Sequence, residues 1–170
     1  MKKHILKFIV LFSFMISGCS VDLETKDIVK STIKNESVAV IDHFFNLTYV
    51  ENHAIAFGLF QNLEEGIRLP LILGLPFLAT LFGFFLVWRM RFAPFRLLLP
   101  IFLVLGGAYG NIVDRAMYGY VTDFLHLHYY DDYHFYVFNV ADLLINMGMG
   151  LILLQYQVFL AWIEKAFRKQ

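Results

Sequence analysis

The stretch from Leu69 to Trp88 constrains this chain more than any other, because it contains no charged residue. It is as long as a helix crossing the ~30 Å hydrocarbon core of a bilayer, which takes about 20 residues. Backbone in lipid finds no water, so a helix that pairs its own N–H and C=O groups is the form expected there. Pro70 suits the first turn, and Pro76 predicts a kink that a membrane helix tolerates. Three further apolar runs have similar length, at about residues 5–22, 97–118 and 140–163. Composition agrees: 59% of the 170 residues are apolar, 19 of them Phe, and 16% are charged. A soluble fold of this size has too little interior to hide that much apolar surface. The expected fold is an all-α polytopic membrane protein with four transmembrane helices, forming one membrane-embedded unit over residues 1–170.

Between the first two runs, residues 22–37 are polar, with Ile28, Val29 and Ile33 spaced for a short interfacial helix. Val38 to Tyr49 is rich in β-branched and aromatic residues, which predicts one or two strands. Val50 to Glu65 reads as a loop or a shallow amphipathic piece. The N-terminus, the loop at 89–96 and the C-terminal tail carry compact Lys/Arg clusters, which assigns all three to the cytoplasm. Net charge is zero with no basic patch, which argues against a nucleic-acid partner. The single cysteine, Cys19, excludes an internal disulfide and a Cys-based zinc site.

Ionisable residues at membrane depth mark functional sites by default. The third run ends in Gly106-Gly107-Ala-Tyr-Gly110-Asn111-Ile-Val-Asp114-Arg115. On a helix Asn111, Asp114 and Arg115 share one face, while Gly107 and Gly110 remove bulk on the preceding turns and permit close helix packing. Asn139 and Asp142 open the fourth run at i and i+3, with Asn146 one turn on. Asp123 lies between the two groups in Tyr120-Val-Thr-Asp-Phe124. The chain from Asp123 to Asp142 is long enough to go out and return, so these carboxylates can meet. Two adjacent carboxylates in a poorly hydrated site share a proton. One then acts as base toward water, and the other donates a proton to the developing oxyanion. Neither metal nor cofactor is required. Asp114 and Arg115, adjacent and opposite in charge, suit a mutual or an interhelical ion pair.

Two rival readings use other features. A non-enzymatic membrane protein, with or without lipidation of its own, would bind a lipid or peptide through Asn111, Arg115 and Asn139. A metal-dependent hydrolase would use His126, His128 and His134 with Asp131 and Asp132, since alternation puts His126 and His128 on one face of a strand.

The motifs around these residues resemble those of the bacterial lipoprotein signal peptidase (signal peptidase II) family. Gly106–Arg115, Tyr120–Phe124 and Phe138–Asp142 look like its three C-terminal motifs. Asp22-Leu-Glu-Thr-Lys26 and Leu47–Gly58, the latter containing Asn52, are similar to its two N-terminal motifs. The resemblance implies an inner-membrane aspartic endopeptidase that removes the signal peptide of diacylglyceryl-prolipoproteins by cutting before the lipidated Cys. It implies catalysis by Asp123 and Asp142, substrate binding or site support by Asp22, Lys26, Asn52, Asn111, Arg115 and Asn139, and a structural role for Asp114. It also implies a small outward-facing β-sheet or cradle over about residues 38–62 between the first two spans, contact with membrane lipid, inhibition by globomycin, and an active site near the outer leaflet without cofactor. An enclosed four-helix site needs no partner, so a monomer is expected.

The chain departs from the family pattern in Ala54-Ile55 after Asn52, in Leu143-Leu144 after Asp142, and in Asn146. Ile16-Ser-Gly-Cys19 looks like a lipobox, the cleavage signal of lipoproteins themselves. Cleavage there would remove the first span, so the lipobox is read as coincidence.

Overall fold

The charge-free run forms the middle of α2 (Glu65–Arg89), which continues unbroken through Pro70 and Pro76. It is one of nine elements in the computed structural model, which describes residues 2–34, 36–54, 63–130 and 133–168. The others are α1 (Lys2–Thr32), β1 (Ser37–Ile41), β2 (Phe45–Asn52), α3 (Phe95–Tyr118), β3 (Val121–Tyr129), β4 (Tyr133–His134), α4 (Val140–Leu154) and α5 (Tyr156–Arg168). Residues 55–62 of the expected β element, including Ile55 and Gly58, lie outside the described residues, as do Asp131 and Asp132.

Among the described residues, three helices are long and apolar enough to cross a membrane: α1, α2 and α3. They differ in what they face. Within the most apolar stretch of each, 61% of residues are buried in α3, against 11% in α1 and 17% in α2. α3 is thus the central post, packed against α1, α2 and α4, while the outer faces of α1 and α2 present Ile, Leu and Phe to lipid. The core lies toward one end of the post, where Leu97, Leu98, Ile101, Phe102 and Leu105 of α3 meet Leu11 of α1, Val87 of α2 with its C-cap Met90, and Phe159 of α5.

Close approach to the post depends on glycine. A Cβ on Gly106 would lie 2.9 Å from the Met15 carbonyl of α1, and one on Gly107 would strike the Ala141 carbonyl of α4. A Cβ on Gly110 would strike the Asp22 carboxylate, and one on Gly148 would lie 2.6 Å from the Pro100 carbonyl. Small residues at these crossings bring the backbones together, the usual source of helix association where lipid removes the hydrophobic drive.

Three expectations need correction. The first run does not stop near residue 22 to restart as an interfacial helix. It is a single 31-residue helix, because Asp22, Lys26 and Val29 continue one buried stripe at helical spacing. The helix also runs straight through Ile16–Cys19, with Leu11 buried and Gly18 packed on Leu144 of α4. The sheet, in turn, is not confined to the connection between the first two spans. It is a four-stranded antiparallel meander ordered β1-β2-β3-β4, and its second half comes from the chain between α3 and α4. β2 extends through Asn52 rather than yielding to a loop at Val50, because it pairs with β3 as Val50 to Asp123 and Asn52 to Val121.

The fourth run, expected as one helix over 140–163, is also different. It breaks at Gln155 and turns by 86°. At that point α4 has reached the first turn of α3, where the Gln155 side chain donates to the Arg96 carbonyl (3.3 Å). Phe159, Trp162, Ile163 and Ala166 then form an amphipathic stripe, which reaches the core only if the chain turns beneath it.

The glycine contacts make a paired prediction. Gly107→Ala should destabilise by about 1–3 kcal/mol through overpacking. Gly150→Ala, where a Cβ meets nothing within 4 Å, should be neutral or slightly stabilising through helix propensity. Thermal unfolding of both variants in detergent tests this, and equal midpoints would refute the close-packing account.

Candidate active site

α4 begins inside the protein, and the way its first N–H groups are satisfied builds the site. Asn139 is the N-cap and is fully buried. Its side-chain oxygen accepts from the Asp142 N–H (2.9 Å), and the Asp142 carboxylate accepts from the Asn139 N–H (3.2 Å). This reciprocal capping box leaves the Ala141 N–H, which donates to Asp22 of α1 (2.7 Å). Asp142 therefore lies in the first turn of α4, beside the positive end of the helix dipole.

The Asn139 amide nitrogen links this box to β3. It donates to Asp123 Oδ1 (2.6 Å) and to Asn111 Oδ1 (3.2 Å). Asn111 on α3 donates in turn to Asp142 Oδ1 (3.0 Å). The two carboxylates are thus bridged by two amides, and the field of each acts on the other. The second oxygen of Asp123 accepts from Asn52 at the end of β2 (2.8 Å), a contact set by the β2–β3 register. Burial first, and the Asp142 charge second, push the Asp123 carboxyl up to about 7, against the opposing effect of its two amide donors.

Behind the pair lies an ion cluster. Lys26, 1% exposed, pairs with Asp22 (2.7 Å), lies 3.6 Å from Asp114, and donates to Asn111 Oδ1 (2.9 Å). Asp114 accepts from Lys30 (2.9 Å) and from the Thr122 N–H (2.8 Å), the residue before Asp123. Arg115 donates to the Ala54 carbonyl (3.0 Å), while its buried Nε has no acceptor among the described residues. Ala54 N–H in turn donates to Asn52 Oδ1 (3.0 Å).

Every residue singled out by number for the site from the sequence falls within this one network, save Asn146, which is exposed on α4. Asp22 and Asp114 are structural acceptors as well as ion-pair partners. Gly110 leaves the space that the Asp22 carboxylate occupies, and Gly107 lets α4 reach α3. Lys30 was missed, although its spacing from Asp22 and Lys26, at i, i+4 and i+8, puts all three on one helix face. Lys30 also covers the Tyr118 ring at 3.6 Å. The Ala54 carbonyl and Thr122 N–H are backbone partners that no side-chain pattern announces.

The three histidines gather elsewhere on the sheet. His134 Nδ1 lies 3.3 Å from His126 Nε2, and ring centroids are 5.2–5.9 Å apart. Burial and the neighbouring imidazoles push His126 below its ordinary range. Among the described residues no three His, Cys, Asp or Glu are arranged to hold a metal ion.

The likeness to known proteins covers most of the chain. The family model described as signal peptidase (SPase) II matches residues 14–159. A lipoprotein signal peptidase of Syntrophotalea carbinolica is 38% identical over 152 residues, 87% of this chain and 91% of that protein. One of a Sulfurihydrogenibium species is 34% identical over 160 residues, 94% and 95% of the two chains. A solved bacterial membrane enzyme, determined by the in meso method at 1.9 Å, superposes with a TM-score of 0.68 at 26% identity, covering 86% of this chain and 92% of that one. A peptidase family thus takes the place of the purely binding reading, and the chain belongs to the signal peptidase II family, the lipoprotein signal peptidases.

Proposed function

We propose that this chain is an intramembrane aspartic endopeptidase that frees diacylglyceryl-prolipoproteins from their signal peptides by cutting before the lipidated Cys. Residues 1–170 act as a single peptidase domain and as a monomer. The observation that carries the chemistry is the double amide bridge between Asp123 and Asp142 within a buried site.

Charge balance supports a single shared proton. The cluster holds four carboxylates, Asp22, Asp114, Asp123 and Asp142, against the cations Lys26, Lys30 and Arg115. One proton on the pair makes the buried network neutral, and burying uncompensated charge is costly. Asp123, with its carboxyl raised to about 7, is the residue that holds it. Asp142, at the positive end of α4, is the base. Water attacks the scissile carbonyl as Asp142 takes its proton and Asp123 gives its own to the carbonyl oxygen. The tetrahedral intermediate collapses as the amide nitrogen receives the proton from Asp142 and Asp123 recovers the hydroxyl proton. The C–N bond breaks, leaving a carboxyl on the signal peptide and a free amine on the lipidated Cys. Arg115 Nε, buried and without an acceptor among the described residues, is a donor that a substrate backbone carbonyl would meet only where binding opens the site around it.

Site depth fits a substrate anchored in the outer leaflet. Lys7 donates to the Arg91 and Ala93 carbonyls, and Gln155 to that of Arg96, so the N-terminus, the 89–96 loop and α5 share one end. Positive residues assign that end to the cytoplasm, so both termini are cytoplasmic in the bacterial inner membrane. Lys7 to Asp22 and Arg96 to Asn111 are both 15 residues of helix, a rise of about 22 Å. In a core of ~30 Å this puts the pair within about 8 Å of the outer boundary. The four crossings are α1, α2, α3 and α4, with α5 lying along the cytoplasmic interface. The sheet covers the outer end of the bundle.

Gel-shift cleavage of a diacylglyceryl-prolipoprotein, inhibited by globomycin, is the direct assay. Asp123→Asn and Asp142→Asn should each lose at least the 10²–10⁴-fold expected of a general acid or base. Parental rates in either variant would overturn the mechanism.

The pH profile adds a signed test. Asp123 must keep its proton, so kcat/KM should fall as pH rises through about 7. The Asn52 amide favours the ionised form of Asp123, so Asn52→Ala should move this alkaline limb to higher pH. A limb that stays in place or moves down would assign the proton elsewhere.

A further inference from the structure

The cytoplasmic end holds a second polar site, unrelated to the carboxylates. α5 passes beneath the end of α2, where Arg89 donates through Nη2 to the Ala166 carbonyl. Between them lies a pocket of about 150 Å³ lined by Arg89, Met90, Phe92, Trp162, Lys165 and Ala166. The Arg89 Nε is shielded from solvent, yet among the described residues it has no acceptor. Lys165 lies over the Trp162 ring at 4.8 Å, and Arg91 over Phe92 at 4.8 Å. No Asp or Glu occurs between Val87 and Leu99. The one acid of α5, Glu164, is 3.7 Å from Arg168.

A shielded guanidinium N–H without an acceptor, flanked by cations and aromatic rings, has an anion as its complement. At the level of a membrane interface, the abundant anion is a lipid phosphate, and Trp and Phe belong at that depth. We propose that this pocket binds the phosphodiester of an anionic glycerophospholipid from the cytoplasmic leaflet. Lys165 and the Arg89 guanidinium meet the phosphate, the shielded Nε gaining its acceptor as the lipid enters, and Trp162 and Phe92 flank the glycerol. No Asp or Glu lines the pocket among the described residues, which disfavours zwitterionic lipids, whose cationic headgroups would meet like charge there. The lipid would cement α5 to α2 across the turn at Gln155. The inference uses the proposed orientation in the membrane and none of the peptidase chemistry.

Native mass spectrometry of the purified full chain tests it, comparing retention of phosphatidylglycerol and phosphatidylcholine. Phosphatidylglycerol should be retained preferentially. Arg89→Gln and Lys165→Gln should each weaken that preference about fivefold, the usual worth of one cation near an anionic surface. Arg89→Lys should keep most of it, which separates lost charge from lost fold. Lys34→Gln, just past the far end of α1, should leave it unchanged. Asp123→Asn should also retain the lipid while losing cleavage, so the two readings can fail separately. Equal retention of both lipids, or parental retention by Arg89→Gln, overturns the proposal. So does displacement of the lipid by excess inorganic phosphate, which would make this a site for the free anion.

Discussion

The start of α4 governs the rest of the structure. A helix that begins inside a membrane protein exposes N–H groups that no water will meet. Here the acceptors are Asn139, Asp142 and Asp22, and each has a second obligation. Asn139 reaches β3 through Asp123, Asp142 reaches α3 through Asn111, and Asp22 reaches Lys26 within α1. One capping arrangement therefore ties three helices and a sheet to a single point. The groups that satisfy the helix end are also those suited to acid–base chemistry.

That convergence depends on absent side chains as much as on polar ones. Gly106 and Gly107 let α1 and α4 touch the backbone of α3, and Gly110 vacates the volume that the Asp22 carboxylate takes up. Were α4 displaced outward by a methyl group, the capping bonds near 2.7–3.2 Å would be the first to lengthen. The glycine-rich run and the carboxylates are parts of one device, although they are far apart in sequence.

Much of this was legible in the chain. Uncharged length marked the spans, and the i, i+3 pairing of Asn139 with Asp142 is a capping signature. The β2–β3 pairing was not legible, because register between Asn52 and Val121 is decided by contacts across most of the chain. Lys30 was hidden by its neighbours: polar residues beyond Asp22 read as an interfacial segment until the buried stripe of α1 is seen to continue. The break at Gln155 was visible in outline, since Gln155, Gln157, Glu164 and Lys165 dilute the last apolar run. Mean hydropathy over a long window averages such a change away, whereas the stripe from Phe159 to Ala166 carries it.

The double duty of Asp142 has a consequence for how stability and chemistry separate. Its carboxylate accepts the Asn139 N–H, and an amide oxygen at the same position can do likewise. An Asn at 142 therefore keeps the helix capped while removing the proposed base, although its amide nitrogen then faces the Asn111 donor that bonds Asp142 Oδ1. An Ala removes both, leaving a buried N–H unpaired at a cost of about 1–3 kcal/mol. The same reasoning at Asp123 differs, because neither of its oxygens caps a helix; both accept from the amides of Asn52 and Asn139. An Asn there turns one acceptor into a donor facing another donor. Structural cost at that position falls on whichever amide the new donor faces, Asn52 at the end of β2 or Asn139 at the cap of α4.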